Sequence, residues 1–179
     1  MIVILAGLPG TGKSTLAHAA AGRIGGAVLD KDVIRVALFS EERVEYSPQQ
    51  DDFCQEIMLQ TAAYLLAKDR DLSVFLDGRT FSRRYQRERA IAFCAQLGTP
   101  WAMIECVCGE QTAVQRLAEA VARGAHPAKN RTPALYCEVR SNWEPIDCPK
   151  LVIDTEAPLA SSVERALAYL NAIARNYRT

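Results

Sequence analysis

The residues with the most specific chemistry stand near the start of the chain. Gly7-Leu8-Pro9-Gly10-Thr11-Gly12-Lys13-Ser14 follows the pattern G-x-x-x-x-G-K-[S/T], between a β-branched apolar run and a helix-forming run. A turn that wraps phosphate needs backbone N–H groups converging on oxygens, and Gly7, Gly10 and Gly12 remove the side chains that would block them. Lys13 is placed to neutralise outer phosphates, and Ser14 to offer a hydroxyl to Mg²⁺. Thr11 belongs to the same cradle, and Thr15 extends it toward an α-phosphate. The helix that opens here presents its positive end to the same anion. ATP and Mg²⁺ are therefore the expected ligands. A glycine turn that merely joins strand to helix would not require Lys-Ser at this offset.

A second group of residues carries transfer chemistry. Val28-Leu29-Asp30-Lys31-Asp32-Val33-Ile34-Arg35 ends one apolar run and opens the next helix. In a doubly wound sheet, strand ends face the ligand crevice, so Asp30 and Asp32 are expected near the terminal phosphate. Asp32 is the candidate general base for an acceptor hydroxyl, and Arg35, one turn on, the candidate clamp on that acceptor. Asp30 either meets the substrate or assists through metal-bound water. The alternative is that Asp32 only caps the helix and Arg35 only pairs with it.

Val74-Phe75-Leu76-Asp77 ends another apolar run in an acid, which places Asp77 as a magnesium ligand, direct or through water. An ordinary turn after a strand is the alternative. Gly78 would allow close approach of substrate. Arg79, Arg83, Arg84, Arg87 and Arg89 follow, a run that is commonly a solvated face. Arg79 and Arg83 are its candidates for substrate contact. Farther on, Arg116, Arg123, Lys129 and Arg131 bracket a Gly/Pro-rich stretch over 124–133, read as a mobile lid loop. Arg116 and Arg131 are assigned to the nucleotide and Arg123 to charge on the transferring group. His126 is read as a lid surface residue and His18 as a helix surface residue.

These residues need a scaffold that brings strand ends together. Short apolar runs at Ile2–Ala6, Ala27–Asp30, Ser73–Asp77, Trp101–Val107 and Leu151–Asp154 alternate with helical sequence, which predicts a parallel α/β sheet with right-handed crossovers. The helices are expected from Lys13 to about Ile24, after Ser47-Pro48, from about Arg83 to Leu97, from Glu110 to Arg123, and from about Ser161 to Arg175. Ser47 reads as an N-cap with Pro48 at the first helical position, and Phe53, Ile57, Thr61 and Leu65 recur at steps of four. Val163, Leu167, Leu170 and Ala174 form a stripe on the last helix.

At 179 residues, with 49% apolar and 23% charged residues, the chain is expected to form one domain over 1–179 that needs no disulfide or metal staple. Its 21 basic and 21 acidic residues balance, so there is no overall pull toward nucleic acid or membrane. The apolar run after Met1 stops at Gly7, too short for a signal segment or a span. The six cysteines lack a CxxC pair and accompany only two histidines, which argues for buried reduced thiols in a cytoplasmic protein and against zinc. The expected partner is a small-molecule substrate, and the chain is expected as a monomer or homodimer.

Together these motifs resemble small P-loop kinases with an AAA-type ATP-binding domain, the group of the polynucleotide kinase domain, the zeta toxins and chloramphenicol phosphotransferase. The resemblance implies a three-layer fold with strand order 2-3-1-4-5 and a lid. It matches Asp32-Val33-Ile34-Arg35 to an Asp-x-x-Arg that supplies base and acceptor arginine, and Asp77 to the acid after the third strand. The Val28–Arg35 stretch is also similar to Leu-Asp-Gly-Asp-x-x-Arg of adenylylsulfate kinase, with Lys31 in place of glycine. The implied activity is ATP-dependent phosphorylation of a hydroxyl on a sugar, nucleoside, antibiotic or similar metabolite. The alternatives are an adenylylsulfate kinase-like reaction or 5′-hydroxyl phosphorylation of nucleic acid, the latter disfavoured by only 7% aromatic residues. A nucleotide-dependent switch protein is the reading from another class; it would need surface elements beyond a kinase core.

Overall fold

The structure, a computed structural model, describes residues 1–123 and 132–178. Among them, five strands form one parallel sheet: β1 Ile2–Ala6, β2 Ala27–Asp30, β3 Val74–Asp77, β4 Trp101–Val107 and β5 Leu151–Asp154. Their order is β2-β3-β1-β4-β5, as expected. Ile2 registers with Val74 on one side and with Trp101 on the other, which makes β1 the central strand. Every residue of β1 is buried, as a strand covered on both faces requires.

The helices are α1 Lys13–Ile24, α2 Lys31–Leu38, α3 Pro48–Lys68, α4 Arg84–Leu97, α5 Glu110–Arg123, α6 Pro133–Ser141 and α7 Leu159–Arg178. Alternate residues of β1 serve opposite layers. Val3 and Leu5 pack with Leu16 and Ala20 of α1 and Val163 and Leu170 of α7, while Ile2 and Ile4 pack with Met58 and Ala62 of α3 and Cys94 of α4. Ala113, Leu117 and Tyr136 form a small third cluster that joins α5 to α6.

Packing settles one face that the periodicity left open, and one boundary differs from expectation. On α3 the buried stripe is Cys54, Met58, Ala62 and Leu66, and Phe53 is 52% exposed. Both stripes have the same period, and the one lying toward the sheet was chosen by packing. Pro133, assigned to the end of the lid loop, instead opens α6, where the Thr132 side chain accepts from Leu135 N. The rest of that loop, with His126, Lys129 and Arg131, lies outside the described residues. The thiol expectation holds for Cys54, Cys94 and Cys106, whereas Cys137 is exposed and Cys108 and Cys148 are half-buried; none is in a disulfide. Burial pushes the Cys94 and Cys106 thiols up to about 12. No described helix is long and apolar enough to cross a membrane.

Candidate active site

β1 delivers the glycine-rich turn to the carboxyl edge of the sheet, and Gly7 N donates to Thr80 O at 3.0 Å, tying the turn to the segment after β3. Gly10 has φ 80°, and a Cβ there would stand 2.5 Å from the Ala113 carbonyl oxygen, so only glycine lets α5 lie against the turn. Thr11 Oγ1 donates to Leu8 O at 2.8 Å, and Lys13 Nζ donates to the Gly7 and Leu8 carbonyls at 2.9 Å each. Gly12 is the left-handed N-cap of α1 and supplies no side chain to its first N–H groups. Lys13 is buried, Ser14 half-buried and Thr15 exposed. The turn therefore carries a pinned ammonium beside a helix end without a side-chain cap, the electrostatics that suit a phosphate chain.

Asp77 ends β3 with 0% exposure, and neither carboxylate oxygen has a hydrogen-bond partner. A buried carboxylate without a partner is costly, and a hard cation is its natural complement. Asp77 and the half-buried Ser14 hydroxyl are both hard oxygen donors, the chemistry that suits Mg²⁺. Asp30 registers opposite Asp77 on β2. Burial, and next the Asp77 charge, hold the Asp30 carboxyl above its ordinary range.

The α2 end of the crevice departs from expectation in one respect. Asp30, not Asp32, caps the helix: its Oδ1 accepts from Asp32 N at 2.7 Å and from Val33 N at 3.4 Å. Only Oδ1 is engaged in this cap. Gly78 serves the same junction, since a Cβ there would lie 2.6 Å from Asp30 Oδ1. Relieved of capping, Asp32 turns inward, 3% exposed, and its Oδ1 accepts from Arg35 Nη1 at 2.8 Å. Lys31 Nζ sits 3.4 Å from the same oxygen and 2.8 Å from Asp51 Oδ1. Asp51 also accepts from Arg35 Nη2. The Arg35 guanidinium lies 5.0 Å from the Tyr46 ring centroid. Lys13, Lys31, Asp32, Arg35, Tyr46 and Gly78 line one crevice of about 110 Å³. Burial lowers the Lys31 pKa to about 8, against the opposing pull of Asp32.

The remaining arginines are placed less as expected. Arg79 is buried, pairs with Asp52 and reaches Tyr85 Oη at 3.5 Å, and it does not line the crevice. Arg83 donates to Asn142 O at 3.0 Å, pairs with Glu144 at 3.2 Å and does not line the crevice. Arg87, from the run read as solvated, is buried and donates to Phe81 O at 2.8 Å and Pro145 O at 2.9 Å. That bond braces Phe81, a buried non-glycine residue at φ 51°. Arg116 donates two bonds of 2.9 Å to Thr155, whose side chain stands beside Gly12. Arg123 closes α5, but its side chain, like all of Arg131, lies outside the described residues.

Sequence reasoning missed Asp51 and Asp52. An acid in the first turn after an N-cap is an ordinary complement of a helix end, and an acid following it is unremarkable, so nothing in the pattern marked Asp51 and Asp52 as partners of Lys31, Arg35 and Arg79.

A parallel sheet of order 2-3-1-4-5, with a glycine turn and Lys13 at the central strand's carboxyl end, defines a P-loop NTPase fold. A family model described as an AAA domain matches residues 2–136, and the chain belongs to that family. No curated protein matches the chain in sequence. Among solved structures, a candidate kinase from Chloroflexus aurantiacus j-10-fl is similar at TM-score 0.74 and 25% identity, over 94% of this chain and 97% of its own. A gluconokinase from Sinorhizobium meliloti 1021 is similar at TM-score 0.66 and 18% identity, over 97% and 93%. The Mycobacterium tuberculosis APS kinase CysC, solved with AMPPNP and APS, is similar at 0.68 and 17%, over 95% and 96%. The last two share the fold.

Proposed function

We propose that this chain transfers the γ-phosphoryl group of ATP to a hydroxyl of a small molecule such as a sugar or nucleoside, with Asp32 as general base. The observation that carries the reading is a buried carboxylate, Asp32, in one crevice with Lys13 of the phosphate turn. The turn's backbone and Lys13 would hold the triphosphate. Ser14 and Asp77 would hold Mg²⁺, which when bound offsets charge on the phosphate oxygens. Asp32 orients the acceptor hydroxyl; as its oxygen bonds the γ-phosphorus and the bridging P–O bond breaks, the proton passes to the Asp32 carboxylate and ADP leaves. Arg35 fixes Asp32 through the bond at 2.8 Å, so the base meets the acceptor already oriented. Similarity over nearly the whole chain to a candidate kinase structure supports this reading over a nucleotide-driven switch.

ADP release measured across a panel of hydroxyl compounds tests it, with nucleotide affinity followed by calorimetry. Lys13→Ala is expected to lose both activity and nucleotide affinity. Asp32→Asn is expected to bind nucleotide like the parent while kcat falls by about 10²–10⁴-fold. An Asp32→Asn variant with parental kcat removes Asp32 from the base role.

A further inference from the structure

We propose that Asp51 is a built-in counter-anion that reserves the acceptor crevice for uncharged hydroxyl compounds, an inference that rests on the kinase reading above. Lys31 and Arg35 are the cations that line the crevice besides Lys13 among the described residues. Left alone, an ammonium beside a guanidinium fork is a receptor for a carboxylate, sulfate or phosphate group. Here that receptor is already filled from within. Asp51 Oδ1 accepts from Lys31 Nζ at 2.8 Å and from Arg35 Nη2, while Asp32 Oδ1 takes Arg35 Nη1 at 2.8 Å and stands 3.4 Å from Lys31. Two cations thus face two carboxylates. Arg79, just past the end of β3, is taken by Asp52 and does not line the crevice.

An anionic acceptor would meet Asp32 and Asp51 with their cations spent, and would have to displace Asp51 or tolerate a like charge. An uncharged hydroxyl compound donates to those carboxylates and needs no cation. Arg35 also keeps one buried donor, Nε, without a partner, a capacity suited to a neutral oxygen. The position of Asp51 is secured by the fold, since its N–H donates to Ser47 O at 2.9 Å in the first turn of α3. Its side chain is 26% exposed, in reach of whatever enters.

The test compares the parent with Asp51→Asn, and with Asp51→Ser as a second uncharged variant, using Asp51→Glu as the charge-retaining control. Saturating Mg²⁺-AMPPNP keeps the phosphate turn filled, and inorganic sulfate is titrated by calorimetry. Both uncharged variants should gain a sulfate site at least about tenfold tighter than any in the parent, and Asp51→Glu should not. In turnover, a sugar alcohol and its matching sugar acid are compared. The parent should favour the alcohol in kcat/KM by about tenfold or more, and Asp51→Asn should narrow or reverse that ratio. Equal sulfate affinity in parent and uncharged variants overturns the proposal, as does a parent that phosphorylates the acid as well as the alcohol. Sulfate gain without phosphorylation of any hydroxyl compound upholds the counter-anion and counts against the kinase reading.

Discussion

Asp30 and Asp77 face each other across the ends of β2 and β3, yet they differ in how their charge is met. Asp30 has two backbone N–H partners and an elevated pKa, so its ionised form is disfavoured by the fold. Its penalty is full above the raised folded value and disappears as pH falls toward the ordinary 3.8. Asp30→Asn keeps an oxygen for the cap and removes the charge, so it should be at least as stable as the parent at neutral pH. Any excess stability should shrink on acidification. Asp30→Ala should instead lose about 1 kcal/mol, the usual worth of an N-cap. Urea melts of the three proteins between pH 4 and 7 check both statements. Legibility differed residue by residue. The turn over Gly7 to Ser14 between β1 and α1 could be read for its place and shape, because both depend on local backbone freedom. Asp32 could be read for position, whereas the choice between Asp30 and Asp32 as the cap turned on a backbone angle that residue type does not encode.

At the scale of elements, α3 is the part whose local signals were strongest and whose buried face only packing decided. Ser47 Oγ accepts from Gln50 N at 3.2 Å with Pro48 at the start, as the sequence predicts. Ser47→Ala should cost about 1 kcal/mol, read as a melting temperature about 2–4 °C lower for a domain of this size. Because the same turn carries Asp51, which lines the crevice, the acceptor's KM should rise in that variant while nucleotide affinity stays unchanged. A loss of both equally would mean the turn does not serve the acceptor side. The 21-residue helix offers several apolar stripes of equal period, and only docking on β1 and β3 selects one. Helix α6 was missed for a related reason: Thr132-Pro133 is a start signal, but it sits beside a Gly/Pro-rich stretch that masks it.

For the molecule as a whole, the phosphate turn stitches together elements distant in sequence: Gly7 to Thr80, Gly10 to α5, and Gly12 to Thr155. A ligand seated there should stabilise the entire sheet edge. At a hundredfold excess over Kd, Mg²⁺-nucleotide should add about 2.7 kcal/mol to unfolding. Asp77→Asn should melt higher than the parent without ligand, because a buried, unpartnered carboxylate is relieved, and should lose the share of nucleotide stabilisation that EDTA removes from the parent. Thermal melts with nucleotide, with and without EDTA, decide this; an unstabilised Asp77→Asn with full metal dependence would remove Asp77 from the metal site. The amino-acid order by itself determined the alternation of buried strands and helices, the parallel sheet and the phosphate turn, because each arises from short-range periodicity or backbone freedom. Only the folded chain decided which acid caps α2, which arginines are structural ties, and that Asp51 and Asp52 answer cations 16 to 27 positions away. Those choices depend on which charges share a buried space, and no local pattern encodes that distance.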